Sequence, residues 1–401
     1  MYDFETILDR EGSVAFDVPN NNISSFVGEV KVKEGFSLIP MWIADMGFKS
    51  APSVSASMLK RMENPAFGYF DLSNEYFKCI IDWHKRMYDQ DINKEDIGYE
   101  NGVLGGISTA LKAYQPTNNK ILVQSPCYIG FTNVLKDNNY EIIYNPMYKD
   151  EENIWRIDYD LLEKQIVENK IETAIFNNPQ NPSGRVFTFE ELDRVAKIYE
   201  KYDVKVISDE IWADIIRTDK KHIPFVSVSE DAKMRTISLY APSKTFNLAG
   251  LIGSYHLIFN PEVKARVNSI SKATHYNNPN ILSMHALIGA FSEDGNKWLN
   301  ELREVIQENV DYAYDYILNN FEGVTLSKPE GTYMLYLDVK EYCTKKQISL
   351  IDLIKKGFEV GVIWQNGEAF IKEYTIRMNL ALPKSLLIEA LKRLNDYVFN
   401  A

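Results

Sequence analysis

The sequence predicts an α/β protein: a large domain with a mostly parallel, doubly wound sheet, followed by a smaller α+β domain. Three observations carry this prediction. The middle of the 401-residue chain alternates short β-rich apolar runs with helix-spaced segments, the pattern of strands joined by crossover helices. From about Ser292 that alternation gives way to one long helical stripe. The composition, 45% hydrophobic, 12% aromatic and 25% charged, is that of a globular chain long enough for roughly two to three domains.

Taken in order, residues 1–49 show no evident sheet of their own and are expected to pack against the small domain. Residues 50–290 form the large domain, with strands expected over 121–124, 141–144, 174–177, 204–208, 236–240 and 254–259. Between them Glu190, Leu192, Val195, Ala196 and Tyr199 show helical spacing. In such sheets chemistry sits beyond the carboxyl ends of the strands. Residues 291–401 form the small domain. Leu299, Leu302, Ile306, Val310, Ala313 and Ile317 are spaced as one face of a long helix, which Gly323 is expected to end. A strand over 333–339, a short helix near 350–356, a strand near 375–380 and a closing helix from Lys384 complete it.

Charge and composition exclude several functions. There are 44 basic and 56 acidic residues, a net charge of −12, and a field of that sign repels phosphate backbones, so no nucleic-acid partner is expected. Cys79, Cys127 and Cys343 are odd in number and far apart, which predicts no disulfide framework and a reducing, cytoplasmic setting. The N-terminus has no basic region followed by an apolar stretch, so no secretory leader is expected. No window approaches the length of a membrane span. The five histidines show no HExxH spacing, so no metal site is expected, and the absence of GxSxG removes the usual serine-hydrolase reading.

Five features carry possible chemistry. Lys244 is the only formally charged residue between Thr236 and Phe259. Desolvation there lowers an amine's pKa and favours the neutral form that Schiff-base chemistry requires; the alternative is a lysine that snorkels to solvent. Asp209 closes a strand, where it should face a cation or donor, or else cap a following helix. The loop from Asn177 to Gly184 has three asparagines and two prolines, a rigid turn with amides aimed at the strand ends. The glycine-rich turn from Asn101 to Ile107 opens an apparent helix, whose N-terminus suits an anion; it is neither GxGxxG nor a P-loop. Arg377 lies between apolar neighbours in Thr375-Ile376-Arg377-Met378-Asn379-Leu380. It suits a bidentate carboxylate clamp or a structural ion pair.

The order of these motifs resembles the fold-type I pyridoxal-phosphate (PLP) enzymes, the aminotransferase class I/II-like family, over nearly the whole chain. Within it, the sequence is most similar to the MalY/PatB cystathionine β-lyase (C–S lyase) branch. Pro40-Met41-Trp42-Ile43-Ala44-Asp45-Met46, Phe67-Gly68-Tyr69 and Ser125-Pro126-Cys127-Tyr128 resemble that branch's signatures. So do the lysine motif from Ala241 to Gly250 and the ending Arg377-Met378-Asn379-Leu380-Ala381-Leu382-Pro383.

The resemblance implies site roles. Lys244 links to the cofactor and then moves the Cα proton. Asp209 pairs with the ring nitrogen, whose positive charge should depress the acid's pKa by about 1–3 units. Asn181 bonds the ring oxygen, with Trp212 near it, and Tyr128 stacks on the ring. The backbone N–H groups of Val103 and Leu104 and the Ser243 hydroxyl hold the phosphate, with Tyr69 from a partner subunit, which implies a homodimer with shared sites. Arg377 and Ala44 contact the amino-acid substrate. Three positions depart from relatives: Trp212 replaces His or Tyr, Gly47 an acidic residue, and Ile252 the arginine with which ordinary aminotransferases bind phosphate. The implied activity is β-elimination from L-cystathionine or related cysteine S-conjugates, giving thiol, pyruvate and ammonia. The alternatives are an aminotransferase on the same fold and, less favoured, a regulatory PLP-fold binding protein.

Overall fold

Alternation along the central strands sets the layers on either side of the large sheet. In the computed structural model, which describes residues 2–10 and 30–400, Ile121, Val123, Ile175 and Ile207 pack into one buried cluster. Their neighbours Leu122, Ala174, Phe176 and Val206 pack into a second cluster on the opposite face. A strand buried on both faces must be apolar at odd and even positions alike, which is why these segments read as continuous apolar runs. Helices cover both faces. Several are capped as their sequences direct: Thr188 and Glu191 form a capping box at Phe189–Lys201, and Ser73 caps Asn74–Tyr88.

The large sheet has seven strands in the order Ile97–Glu100, Ser254–Leu257, Thr236–Tyr240, Lys205–Asp209, Thr173–Asn177, Lys120–Ser125 and Glu141–Pro146. Only Ser254–Leu257 runs against both its neighbours; the remaining pairings are parallel. This is the expected doubly wound sheet. Ile97–Glu100 is an additional strand that the sequence pattern did not reveal.

The C-terminal part holds a four-stranded antiparallel sheet ordered Thr325–Leu326, Met334–Asp338, Thr375–Asn379 and Gln365–Asn366. The long helical stripe forms Glu293–Asn320, with Leu299, Leu302, Ile306, Val310, Ala313 and Ile317 all buried. Gly323 does not cap it. Phe321 donates its N–H to Ile317, and Gly323 turns the chain beyond, at φ +77°, where a Cβ would sit 2.9 Å from the Tyr342 nitrogen.

The segment before residue 49 does enter a sheet: Ile39–Pro40 pairs in parallel with Val362–Ile363. The adjoining stretch is stitched to the C-terminal sheet, since Asn379 donates its N–H to Met41 O at 2.7 Å and its Nδ2 to Ile43 O at 2.8 Å. Part of the 1–49 segment, residues 11–29, lies outside the described residues. Among the described residues, no helix is long and apolar enough to cross a membrane, and no group of three or more His, Cys, Asp or Glu is placed to hold a metal.

Candidate active site

Four neighbouring parallel strands deliver four side chains to one place. Beyond the carboxyl end of Lys120–Ser125 lies Tyr128, beyond Thr173–Asn177 lies Asn181, at the end of Lys205–Asp209 is Asp209, and beyond Thr236–Tyr240 comes Lys244. Asn177 and Asp209 are register partners on adjacent strands. With Arg377 these residues line one cavity of about 1080 Å³. Val103, Leu104, Trp212, Ser243 and Ala44 line it too. Tyr69 does not: it is fully exposed.

Lys244 sits in the single helical turn Pro242–Thr245, half-buried. Its Nζ donates to Ala44 O at 3.1 Å, and it lies 6.0 Å from the Trp212 ring. Burial is the main cause that pulls its pKa down from 10.5 to about 8, helped by the Arg377 charge and opposed by Asp45 and Asp209. The loop is held on both sides. Thr245 Oγ1 donates to Asp214 Oδ2 at 2.9 Å, and Asn247 exchanges two 3.1 Å hydrogen bonds with the backbone of Met46.

Asp209 is buried, and its Oδ1 accepts the Ile211 N–H at 3.0 Å. No helix follows, only a turn, so the capping alternative does not apply. Burial raises its pKa from 3.8 to about 7; the Ile211 bond opposes this, Glu210 adds to it, and Lys244 opposes it weakly. Among the protein's own groups desolvation outweighs the one nearby cation; the depression expected from a ring-nitrogen cation belongs to the cofactor-loaded site. A buried carboxyl raised in this way is suited to a cationic N–H donor, which a protonated pyridine ring supplies.

Asn177 positions both neighbours: its Nδ2 donates to Asp209 O at 2.9 Å and its Oδ1 accepts the Asn181 N–H at 2.8 Å. Arg377 Nη1 donates to Asn181 Oδ1 at 3.0 Å, which leaves the Asn181 amide nitrogen as its donor toward the cavity. Arg377 Nη2 donates to Trp42 O at 3.0 Å and to Gln365 Oε1. Its Nε has no partner, and it forms no ion pair with any acid among the described residues. Burial lowers its pKa to about 10. A buried guanidinium without an acid is unfavourable until a carboxylate arrives.

At the opposite end, Gly102 at φ +90° starts the helix Val103–Tyr114. The first N–H groups of a helix have no intrahelical acceptor, so those of Val103 and Leu104 offer an anion site beside Ser243. Ile252 also lines this end. The two other departures separate in space. Trp212 is at the cavity wall, edge-on to Tyr333 at 4.7 Å, whereas Gly47 is outside the cavity, where a Cβ would approach Pro383 Cδ at 3.3 Å. Arg10, Asp45, Asn247 and Gln365 also line the site and were missed. Asp45 and Asn247 lie inside recognised motifs and were within reach; Arg10 carries no local signal.

The residues fit the cofactor implied by the sequence: an amine held near neutrality, a buried acid opposite it, an aromatic wall and a helix N-terminus share one cavity. Comparisons with known proteins agree. The model of "Aminotransferase class I and II" matches residues 48–394. Cystathionine beta-lyase PatB of Bacillus subtilis is 28% identical, over 89% of this chain and 91% of that protein. Aspartate aminotransferase of the same organism is 24% identical, over 83% of each. The PLP-bound C–S lyase from Staphylococcus hominis superimposes with a TM-score of 0.89 at 29% identity, covering 100% of this chain and 99% of that one.

Proposed function

This chain belongs to the aminotransferase class I and II family, a PLP-dependent enzyme family, and from that premise we propose that it is a carbon–sulfur β-lyase. Its substrate is L-cystathionine or a related cysteine S-conjugate; its products are a thiol, pyruvate and ammonia. The observation that carries this reading is the pairing, in one cavity, of Lys244, its pKa lowered by burial to about 8, with an acid-free buried Arg377. The kinship with cystathionine beta-lyase PatB and the C–S lyase favours elimination over transamination. Ile252, at the position where aminotransferases place a phosphate-binding arginine, agrees with it.

When bound, PLP supplies a covalent electron sink for the charge that develops at substrate Cα. Val103 and Leu104 N–H with the Ser243 hydroxyl would hold its phosphate, Tyr128 its ring face, Asn181 its ring oxygen, Asp209 its ring nitrogen and Lys244 its aldehyde carbon. Arg377 binds the substrate α-carboxylate through its guanidinium and fixes the orientation of Cα–H. Lys244 Nζ, a neutral amine in part at pH 8, takes the Cα proton. The Cβ–S bond then breaks with its electron pair leaving on sulfur, which is protonated as the thiol. Water converts the remaining three-carbon fragment to pyruvate and ammonia.

The fully exposed Tyr69, with exposed Phe67 beside it, supports a homodimer in which Tyr69 of the partner subunit completes the phosphate site. Three free cysteines suit a cytoplasmic setting. The deciding experiment incubates PLP-loaded protein with L-cystathionine and no 2-oxo acid. Pyruvate and homocysteine are expected; turnover that requires an added 2-oxo acid would replace this reading with transamination.

A further inference from the structure

Five charged side chains line the cavity among the described residues: Arg10, Asp45, Asp209, Lys244 and Arg377. Three have been accounted for. The other two face each other, with Arg10 Nη2 2.9 Å from Asp45 Oδ2 and side chains about one-quarter exposed, at 23% and 25%. They are neither sealed in the core nor spread on the outer surface. They form a cation–anion pair at the cavity wall.

Their place relative to the chemistry is fixed. Asp45 follows Ala44, whose carbonyl accepts from Lys244 Nζ at 3.1 Å, so the pair lies one residue from the atom that handles the Cα proton. Asn379 Nδ2 bonds the Asp45 carbonyl at 2.5 Å and Met46 is locked to Asn247, which gives the segment little freedom to withdraw. Arg10 also reaches Met46 O at 3.4 Å. The segment that ends in Asp45 touches both assigned groups, since Trp42 O accepts from Arg377 Nη2 and Ala44 O from Lys244 Nζ, and Arg10 and Asp45 border the same cavity.

We propose that Arg10 and Asp45 form a specificity subsite for a leaving thiol that carries its own ammonium and carboxylate. Asp45 accepts from the distal ammonium and Arg10 donates to the distal carboxylate. The inference rests on the β-elimination reading and assigns the two residues that read the distal end of a thioether with an amino acid at both ends. Such a head satisfies both members of the pair at once, replacing their mutual contact with two charge-assisted contacts. An S-alkyl tail offers the pair nothing and gains only apolar burial, so the subsite discriminates by unmatched charge.

The test uses PLP-loaded protein and three thioethers: L-cystathionine, S-(3-carboxypropyl)-L-cysteine, which lacks the distal ammonium, and S-methyl-L-cysteine, which lacks both distal charges. For the unaltered protein, kcat/KM should fall in that order. In Arg10→Gln, the ratio of kcat/KM for L-cystathionine to that for S-methyl-L-cysteine should drop by about tenfold or more. The series on the unaltered protein stands by itself should that variant fold poorly. Equal kcat/KM for the three thioethers, or a ratio unmoved in a folded Arg10→Gln, overturns the subsite while elimination stands. No pyruvate from any thioether overturns elimination and the subsite with it.

Discussion

Arg377 and Asn181, 196 positions apart in the chain, are joined by a 3.0 Å hydrogen bond from Nη1 to Oδ1. The contact ties the C-terminal sheet to the loop that follows Thr173–Asn177. The guanidinium proposed as the carboxylate clamp thereby also sets which face of Asn181 is left to donate. Gln365, opposite Arg377 on the neighbouring strand, and the Trp42 carbonyl hold its other nitrogen.

Replacing this residue conservatively should therefore be costly. Arg377→Lys keeps the charge but has no planar fork with which to serve Asn181, Trp42 and a substrate together. Loss of charged hydrogen bonds of about 1.5–3 kcal/mol corresponds to a fall in kcat/KM of about ten- to a hundredfold. It should appear mainly as a raised KM for the amino-acid substrate. Steady-state kinetics with L-cystathionine check it; a KM within twofold of the unaltered protein contradicts the clamp.

Asp209 links stability to function with opposite signs. Its folded-state pKa of about 7 lies above the ordinary 3.8 because it is buried. Between those values the folded protein binds the proton more tightly than the unfolded chain, so this group's contribution to stability falls as pH rises from about 4 to about 7. In cofactor-free protein, Asp209→Asn should raise stability at pH 8 by up to about 4 kcal/mol, with the gain vanishing toward pH 4. In PLP-loaded protein the same change should lower turnover at least about a hundredfold, because the ring nitrogen loses its ionic partner. Thermal melts across pH, with rates at pH 8, check both; a stability gain independent of pH would show that the carboxyl does not titrate as stated.

Gly102 makes a third case. Its φ of +90° is open to glycine and strained for other residues, and a residue forced there costs about 1–3 kcal/mol. Gly102→Ala should relieve that strain by tilting the start of Val103–Tyr114, moving the N–H groups of Val103 and Leu104 off their anion. PLP affinity should fall about tenfold, measured by titration of cofactor-free protein. Unchanged affinity would mean that these amides do not hold the phosphate.

How much of this was legible in the chain depends on the range over which each signal acts. The strands ending near Asn177, Asp209 and Tyr240 are apolar on both faces, so their local pattern declared them, and the site residues follow at the strand ends. The strand Ile97–Glu100 has only four residues. Gly98 breaks its pattern, and the reason lies far off: a Cβ there would sit 2.1 Å from His256 Nε2. The raised pKa of Asp209 in the cofactor-free protein was not legible, because burial is a property of the packed whole, not of the residue's neighbours in sequence. Arg10 illustrates the limit, since its partner is 35 positions away and neither periodicity nor motif connects them.

Tyr69 gives the last prediction. It lies outside the cavity and is fully exposed, so the phosphate contact proposed for it requires a second chain. Lys244→Ala should lose turnover by about 10²–10⁴-fold as the proton-moving amine is removed, and Tyr69→Ala should be impaired through weakened phosphate binding. Co-refolded in equal amounts, the two variants pair at random, so half of the dimers are mixed. In a mixed dimer one site carries both defects, whereas the other combines an intact Lys244 with an intact Tyr69 of the partner subunit. Activity should thus recover to about a quarter of that of the unaltered protein. If the mixture instead gives only the mean of the two separate variants, Tyr69 acts within its own chain or not at all, and the shared site is wrong.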